Sequence, residues 1–79
     1  MLISPFELVS EALECEQETL HENSGLNNHA AWDSMGHLTV LMALEKAYGV
    51  DINEESIKNF QTMSSIIDIY NSLQKQAVN

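Results

Sequence analysis

Cysteine is nearly absent from this 79-residue chain. Cys15 stands alone, which excludes an intramolecular disulfide framework and any metal site built from several thiolates. Basic residues are almost as scarce: three Lys+Arg face 12 Asp+Glu, a net charge of −9 at pH 7. Phosphate backbones and anionic membrane surfaces repel such a chain, so nucleic acid is not an expected partner. Basic patches on other proteins are, through an attraction that weakens with salt. No apolar run approaches the roughly 18 residues that span a bilayer, so no membrane insertion is expected. The opening stretch MLISPFELVSEALE has no basic segment and reaches Glu7 at once, unlike a signal or transit peptide. The expectation is a cytoplasmic, reduced, monomeric protein.

Length narrows the choice further. Residues 1–79 make one small domain, with no room for an interdomain cleft. A deep substrate pocket would consume most of a globule whose expected radius of gyration is about 12 Å. A module that binds or presents something fits better than an enzyme. Hydrophobic residues make up 44% of the chain, which suits a folded globule.

Strand signals are also scarce, with no convincing alternating run and no two-residue hairpin turn, whereas helical periodicity recurs. Ser4 as N-cap, Pro5 at the first helical position and Glu7 completing a capping box announce a first helix. Phe6, Val9 and Leu13 fall on one face of it, flanked by Leu8 and Ala12. Glu7, Glu11, Glu14 and Glu18 follow one another at helical spacing on the other, as a solvated face does. Residues 22–31 (ENSGLNNHAA) read as a long loop pinned by Leu20 and Leu26, uncommon in so small a domain and either functional or floppy.

A second helix is predicted from Ser34 to Tyr48, with Asp33 as N-cap and Gly49 at its stop. Its apolar residues run nearly all the way round, as in a central helix contacted on several sides. Asn53 caps a short third helix anchored by Ile57 and Phe60, with Glu54 and Glu55 at the positive end of its dipole. Thr62 caps a fourth, in which Ile66, Ile69, Tyr70 and Leu73 share a face that fades from Lys75 to Asn79. The predicted fold is all-α: a small four-helix bundle of three main helices and one short one, with a long first loop.

Residues able to do chemistry are few. Ser34 and His37 lie three apart on one helix, with no third group placed to orient the imidazole as a hydrolase triad requires. His21, His29 and His37 recur every eight residues, which fits neither one helical face nor a zinc-ligand pattern. Solvated histidines are expected, with Asp33 as a helical i+4 partner for His37. Asp51, Asn53 and Glu55 open like a calcium loop, but Ser56 replaces the turn glycine and Thr62 the bidentate Glu. Cys15, on the line Leu8, Ala12, Cys15, reads as a small buried hydrophobe. No catalysis by the chain is expected.

Ser34 differs from these. It sits between a loop and the start of the most apolar helix, exposed while the residues behind it are fixed in the core. The unpaired N–H groups and the dipole at a helix start favour an anion there. Asp-Ser is also an ordinary helix-start dipeptide.

The stretch WDSMGHLTVLMALEKAYGVDI, followed by NFQTMSSIIDIYNSL, resembles the acyl carrier protein family. In that family Asp-Ser-Leu opens the second helix, and a short third and a Thr-capped fourth helix complete the pattern. Asp33-Ser34-Met35 matches with Met for the usual Leu, a volume-conserving exchange. The similarity covers about the last three quarters of the chain. Asp-Ser-Met-Gly also resembles D-alanyl carrier proteins, and Trp-Asp-Ser with a following Gly-His-Leu resembles free-standing carriers of specialised pathways.

The resemblance implies that Ser34 accepts a 4′-phosphopantetheine arm from coenzyme A through a phosphopantetheinyl transferase. The arm's thiol then carries an acyl or aminoacyl group as a thioester between loading and transferring enzymes. Family members commonly meet partners through acidic residues on the second helix. Here Gly36, His37 and Thr39 follow the serine, and the next acid is Glu45. Partner contacts are therefore expected from Trp32, Asp33, Met35, His37 and Thr39, with Trp32 and Met35 as apolar anchors. Trp32 and Met35 read equally well as cover for the core beneath the loop. A function of another class, an unmodified acidic helical interaction module, needs no chemistry at Ser34.

Overall fold

Proline and a short hydroxyl side chain set where the first helix begins. In the computed structural model, which describes residues 2–77, α1 spans Pro5–Leu13, and Ser4 Oγ accepts the Glu7 N–H at 3.4 Å. Leu8 and Val9 are its buried anchors. The acidic series does not stay on this helix. Glu14 takes a left-handed conformation (φ 53°) and Cys15 N–H reaches back to the Ser10 carbonyl at 3.0 Å. That bond closes a Schellman end without the usual glycine, so Glu18 falls in a separate 3₁₀ turn, Gln17–Thr19.

The other helices follow their punctuation. The second helix, α2, spans Ser34–Tyr48, with Asp33 as N-cap and Gly49 left-handed at its end. Glu54–Asn59 form α3, capped by Asn53, and Ser56 completes a reciprocal box with the Asn53 backbone. Met63–Ala77 form α4, with Thr62 Oγ1 accepting the Ser65 N–H. The last part of the expected fade, at Val78 and Asn79, lies outside the described residues. Four α-helices, one of them short, and no strand among the described residues make an all-α bundle.

The core is assembled around α2. Val40, Leu41 and Leu44 are fully buried against Leu8 and Val9 of α1, Met63 and Ile66 of α4, and Leu20 from the loop. Burying each such side chain contributes roughly 1.5–3 kcal/mol. At the far end of α2, Tyr48 Oη donates to the Ile3 carbonyl at 2.7 Å and its ring lies 6.0 Å from that of Tyr70.

The long loop between α1 and α2 is sewn to the bundle. Leu26 N–H donates to the Gln61 carbonyl and Met63 N–H to the Ser24 carbonyl, each at 2.8 Å, around an isolated bridge between Gly25 and Thr62. The close approach explains Gly25, since a Cβ there would run into the Gln61 carbonyl. Asn28 Oδ1 accepts the Gly25 N–H and its amide donates to the Asn23 carbonyl. The chain thus arrives at α2 along a fixed path.

Candidate functional site

The approach to Ser34 is tied down by polar contacts on both sides. Trp32, two residues before it, is fully buried at 0% exposure. Its backbone N–H donates to the His29 carbonyl at 3.0 Å, and its carbonyl accepts the Asn27 N–H at 2.9 Å. The indole Nε1–H donates to His37 Nδ1 at 3.1 Å. His37, at 3% exposure, in turn donates Nε2–H to the Ile57 carbonyl of α3 at 2.9 Å. A buried indole N–H and a buried imidazole each need a partner, and here they satisfy one another.

Two expectations are corrected by this arrangement. Trp32 and His37 lie inside the fold and present no surface to a partner. His37 is not the solvated i+4 companion of Asp33, because both ring nitrogens are engaged elsewhere. Asp33 instead caps α2, its Oδ1 accepting the Gly36 N–H at 2.8 Å. The Asp33 carbonyl accepts the His37 N–H at 2.8 Å.

Gly36 completes the local fit. A glycine inside a helix costs about 1 kcal/mol relative to alanine, yet a Cβ here would stand 2.6 Å from the Ala31 carbonyl oxygen and 2.9 Å from Leu13 Cδ2. The first turn of α2 can lie against the loop and the end of α1 only without that atom.

Ser34 itself is exposed and is the first residue of α2. Of the other serines, Ser10, Ser24 and Ser56 are buried. Ser65 spends its hydroxyl on the Thr62 carbonyl at 2.8 Å. The Ser34 hydroxyl makes no hydrogen bond among the described residues, and Asp33 answers the N–H groups of Gly36 and His37 but not those of Ser34 and Met35. A phosphodiester fits such a place: its oxygen can come from the free hydroxyl, and its negative charge lies at the positive end of the helix dipole.

The face of α2 that continues from Ser34 is apolar and open. Met35, Leu38 and Met42 are exposed at 79%, 54% and 55%, spaced i, i+3 and i+7 on one side of the helix. The sequence pattern predicts an α2 contacted on several sides, and this stripe is the side left open. Asp33 and Thr39 are also exposed, and Thr39 Oγ1 donates to the Met35 carbonyl at 3.2 Å.

The three histidines do not meet. His21 is exposed, and His29 pairs through Nε2 with Thr19 Oγ1 at 2.9 Å and accepts the Ala31 N–H at Nδ1. Among the described residues no group of three His, Cys, Asp or Glu side chains could hold a metal ion. No helix there is long and apolar enough to cross a membrane. A family model described as a phosphopantetheine attachment site matches residues 6–69, a span that runs from α1 through most of α4.

Proposed function

The chain belongs to the phosphopantetheine-binding family, whose domains carry a covalently attached 4′-phosphopantetheine and are not themselves enzymes, and on that premise we propose that Ser34 bears the arm. The observation that carries this reading is the exposed Ser34 hydroxyl, without a hydrogen-bond partner among the described residues, at the head of a helix that His37, Val40 and Leu41 anchor in the core. When bound, the arm supplies a terminal thiol that holds an acyl or aminoacyl group as a thioester. The chain's own part is mechanical. Asp33 fixes the first turn, Trp32 and His37 fix the approach, and Ser34 Oγ is held where a phosphopantetheinyl transferase can reach it.

Asp33, Met35 and Thr39, joined by Leu38 and Met42, form the contact face we assign to the enzymes that load and discharge the arm. Beyond Asp33 nothing on that face carries charge until Glu45, so apolar burial dominates there, and methionines suit it because they adapt to irregular surfaces. A net charge of −9 opposes self-association through the same face, which supports a monomer. The unpaired Cys15 fits a reducing compartment such as the cytoplasm. The test is the intact mass of the chain after incubation with coenzyme A and a broad-specificity phosphopantetheinyl transferase. One added arm is expected. No addition would favour an unmodified interaction module, and more than one would remove the special status of Ser34.

A further inference from the structure

His37 is wired in a way that only one form of its ring allows. Nδ1 receives a proton-bearing donor, Trp32 Nε1–H, while Nε2 faces a carbonyl oxygen that can only accept. The partners therefore assign the neutral Nε2–H tautomer. The carbonyl it meets is also special. Ile57 lies in the last turn of the short α3, where carbonyls have no helical partner of their own. Phe60 N–H answers the Ser56 carbonyl at this end, and His37 answers from α2 the Ile57 carbonyl beside it. Among the described residues this is the one hydrogen bond between α2 and α3. The same ring holds Trp32, whose backbone is pinned to His29 and Asn27.

We propose that His37 is a positioning residue for Ser34: a neutral latch that clamps the loop before the serine and α3 to the first turn of α2, and that opens when the ring takes a second proton. Protonation places N–H on Nδ1 against the indole N–H, two donors face to face in a buried site, so the Trp32 contact must break. Ser34, between Trp32 and His37 in the chain, then loses the fixed path that presents it. The charged groups on the surrounding elements do not hold the ring. Asp33 at the head of α2, Glu54, Glu55 and Lys58 on α3, and Glu11 and Glu14 at the end of α1 are all exposed, and none bonds to the imidazole. His29, half-buried in the loop, shares the same pattern, accepting at Nδ1 from Ala31 and meeting Thr19 at Nε2, and must be separated from His37 experimentally.

Trp32 is the only tryptophan, so its indole N–H resonance is a single reporter of the latch. The full chain is titrated by NMR from about pH 8 down into the acid range over which the fold persists. In the unaltered protein the His37 ring nitrogens should report the Nε2–H tautomer at the upper end, and the indole signal should move together with protonation of that ring. His37→Gln keeps a donor and an acceptor but cannot titrate, and its indole signal should stay still; His29→Gln should leave the movement intact. An indole titration unchanged in His37→Gln, or a His37 ring carrying its proton on Nδ1 at the upper end, would overturn the latch.

The role in positioning rests on the Ser34 reading and has its own readout. The rate of arm loading at the acid end, relative to His37→Gln under the same conditions, should fall by about fivefold or more, the range set by losing one or two kcal/mol of order. Equal rates would show that the latch does not position the serine. The NMR result stands apart from loading, so a failure of Ser34 to accept the arm is distinguishable from a failure of the latch.

Discussion

The two ends of α2 are held by different physics. At the Ser34 end, Asp33, Gly36, Trp32 and His37 fix the backbone through specific polar contacts and one close approach, and the adjoining face is left open. Toward the other end, Leu41, Leu44 and Tyr48 are packed into the core, and among the described residues the one side-chain hydrogen bond is from Tyr48 to Ile3. Burial supplies most of the stability of the bundle, but its attraction is non-directional and does not by itself aim a polar atom. Directional hydrogen bonds specify position and add only modestly to stability. A chain that must present one hydroxyl reproducibly needs the second kind of constraint at the serine and the first kind elsewhere.

Leu44→Ala should produce the largest loss of stability, about 2–5 kcal/mol, through a cavity in the packed half. Loading per folded molecule should be unaffected. Denaturant unfolding read beside loading under native conditions checks both, and a loading defect in the folded fraction would blur the division between the two ends.

Gly36→Ala should follow, at about 1–3 kcal/mol destabilising despite alanine's better helix propensity, because the Ala31 carbonyl in its path is backbone and cannot swing aside. Here loading should fall even in the folded fraction. A stabilised, fully loadable variant would show that the first turn tolerates displacement.

Tyr48→Phe removes one hydrogen bond and should cost about 1 kcal/mol with loading intact. It also sharpens the comparison at high pH. Burial, with a smaller contribution from the neighbouring Tyr70, pushes the Tyr48 hydroxyl up to about 12. Its neutral form therefore stabilises the fold fully below the ordinary tyrosine value of about 10, and that stabilisation is lost as pH rises towards 12. Unfolding curves across that range should fall more steeply for the unaltered chain than for Tyr48→Phe.

Met35→Ala and Leu38→Ala should leave stability within about 0.5 kcal/mol, as exposed positions do. Transfer of the loaded group to a native partner should weaken, and the weakening should persist at high salt because what these two side chains contribute is apolar burial and not charge. Unchanged transfer would remove the stripe from the docking face.

Much of this contrast was legible in the sequence where punctuation residues decide local structure. Asp33 and Gly49 bound α2, Asn53 starts α3 and Thr62 starts α4, because short polar side chains and glycine act within one turn of the backbone. The end of α1 was not legible, since Glu14 takes a glycine's conformation without being glycine. Nor was the inside-out placement of residues 32–42. Trp and His are equally at home buried with a partner or at a surface, and only the fold brings the indole to Nδ1 and Ile57 to Nε2. An all-round apolar pattern likewise does not say which side of α2 the other helices leave uncovered, and Gly36 gave no sign of the Ala31 carbonyl beside it. Ser34 was singled out by its place at the junction of loop and helix together with the family resemblance, and its exposure is what the fold adds.

The most direct test is to locate the arm. After treatment with coenzyme A and transferase, fragmentation mass spectrometry of the unaltered chain should place one added phosphopantetheine on the peptide containing Ser34, and Ser34→Ala should fold normally and gain no mass. An arm mapped to Ser64, Ser65 or any other hydroxyl, or one still acquired by Ser34→Ala, would contradict the assignment of the serine on which the comparison between the two ends of α2 depends.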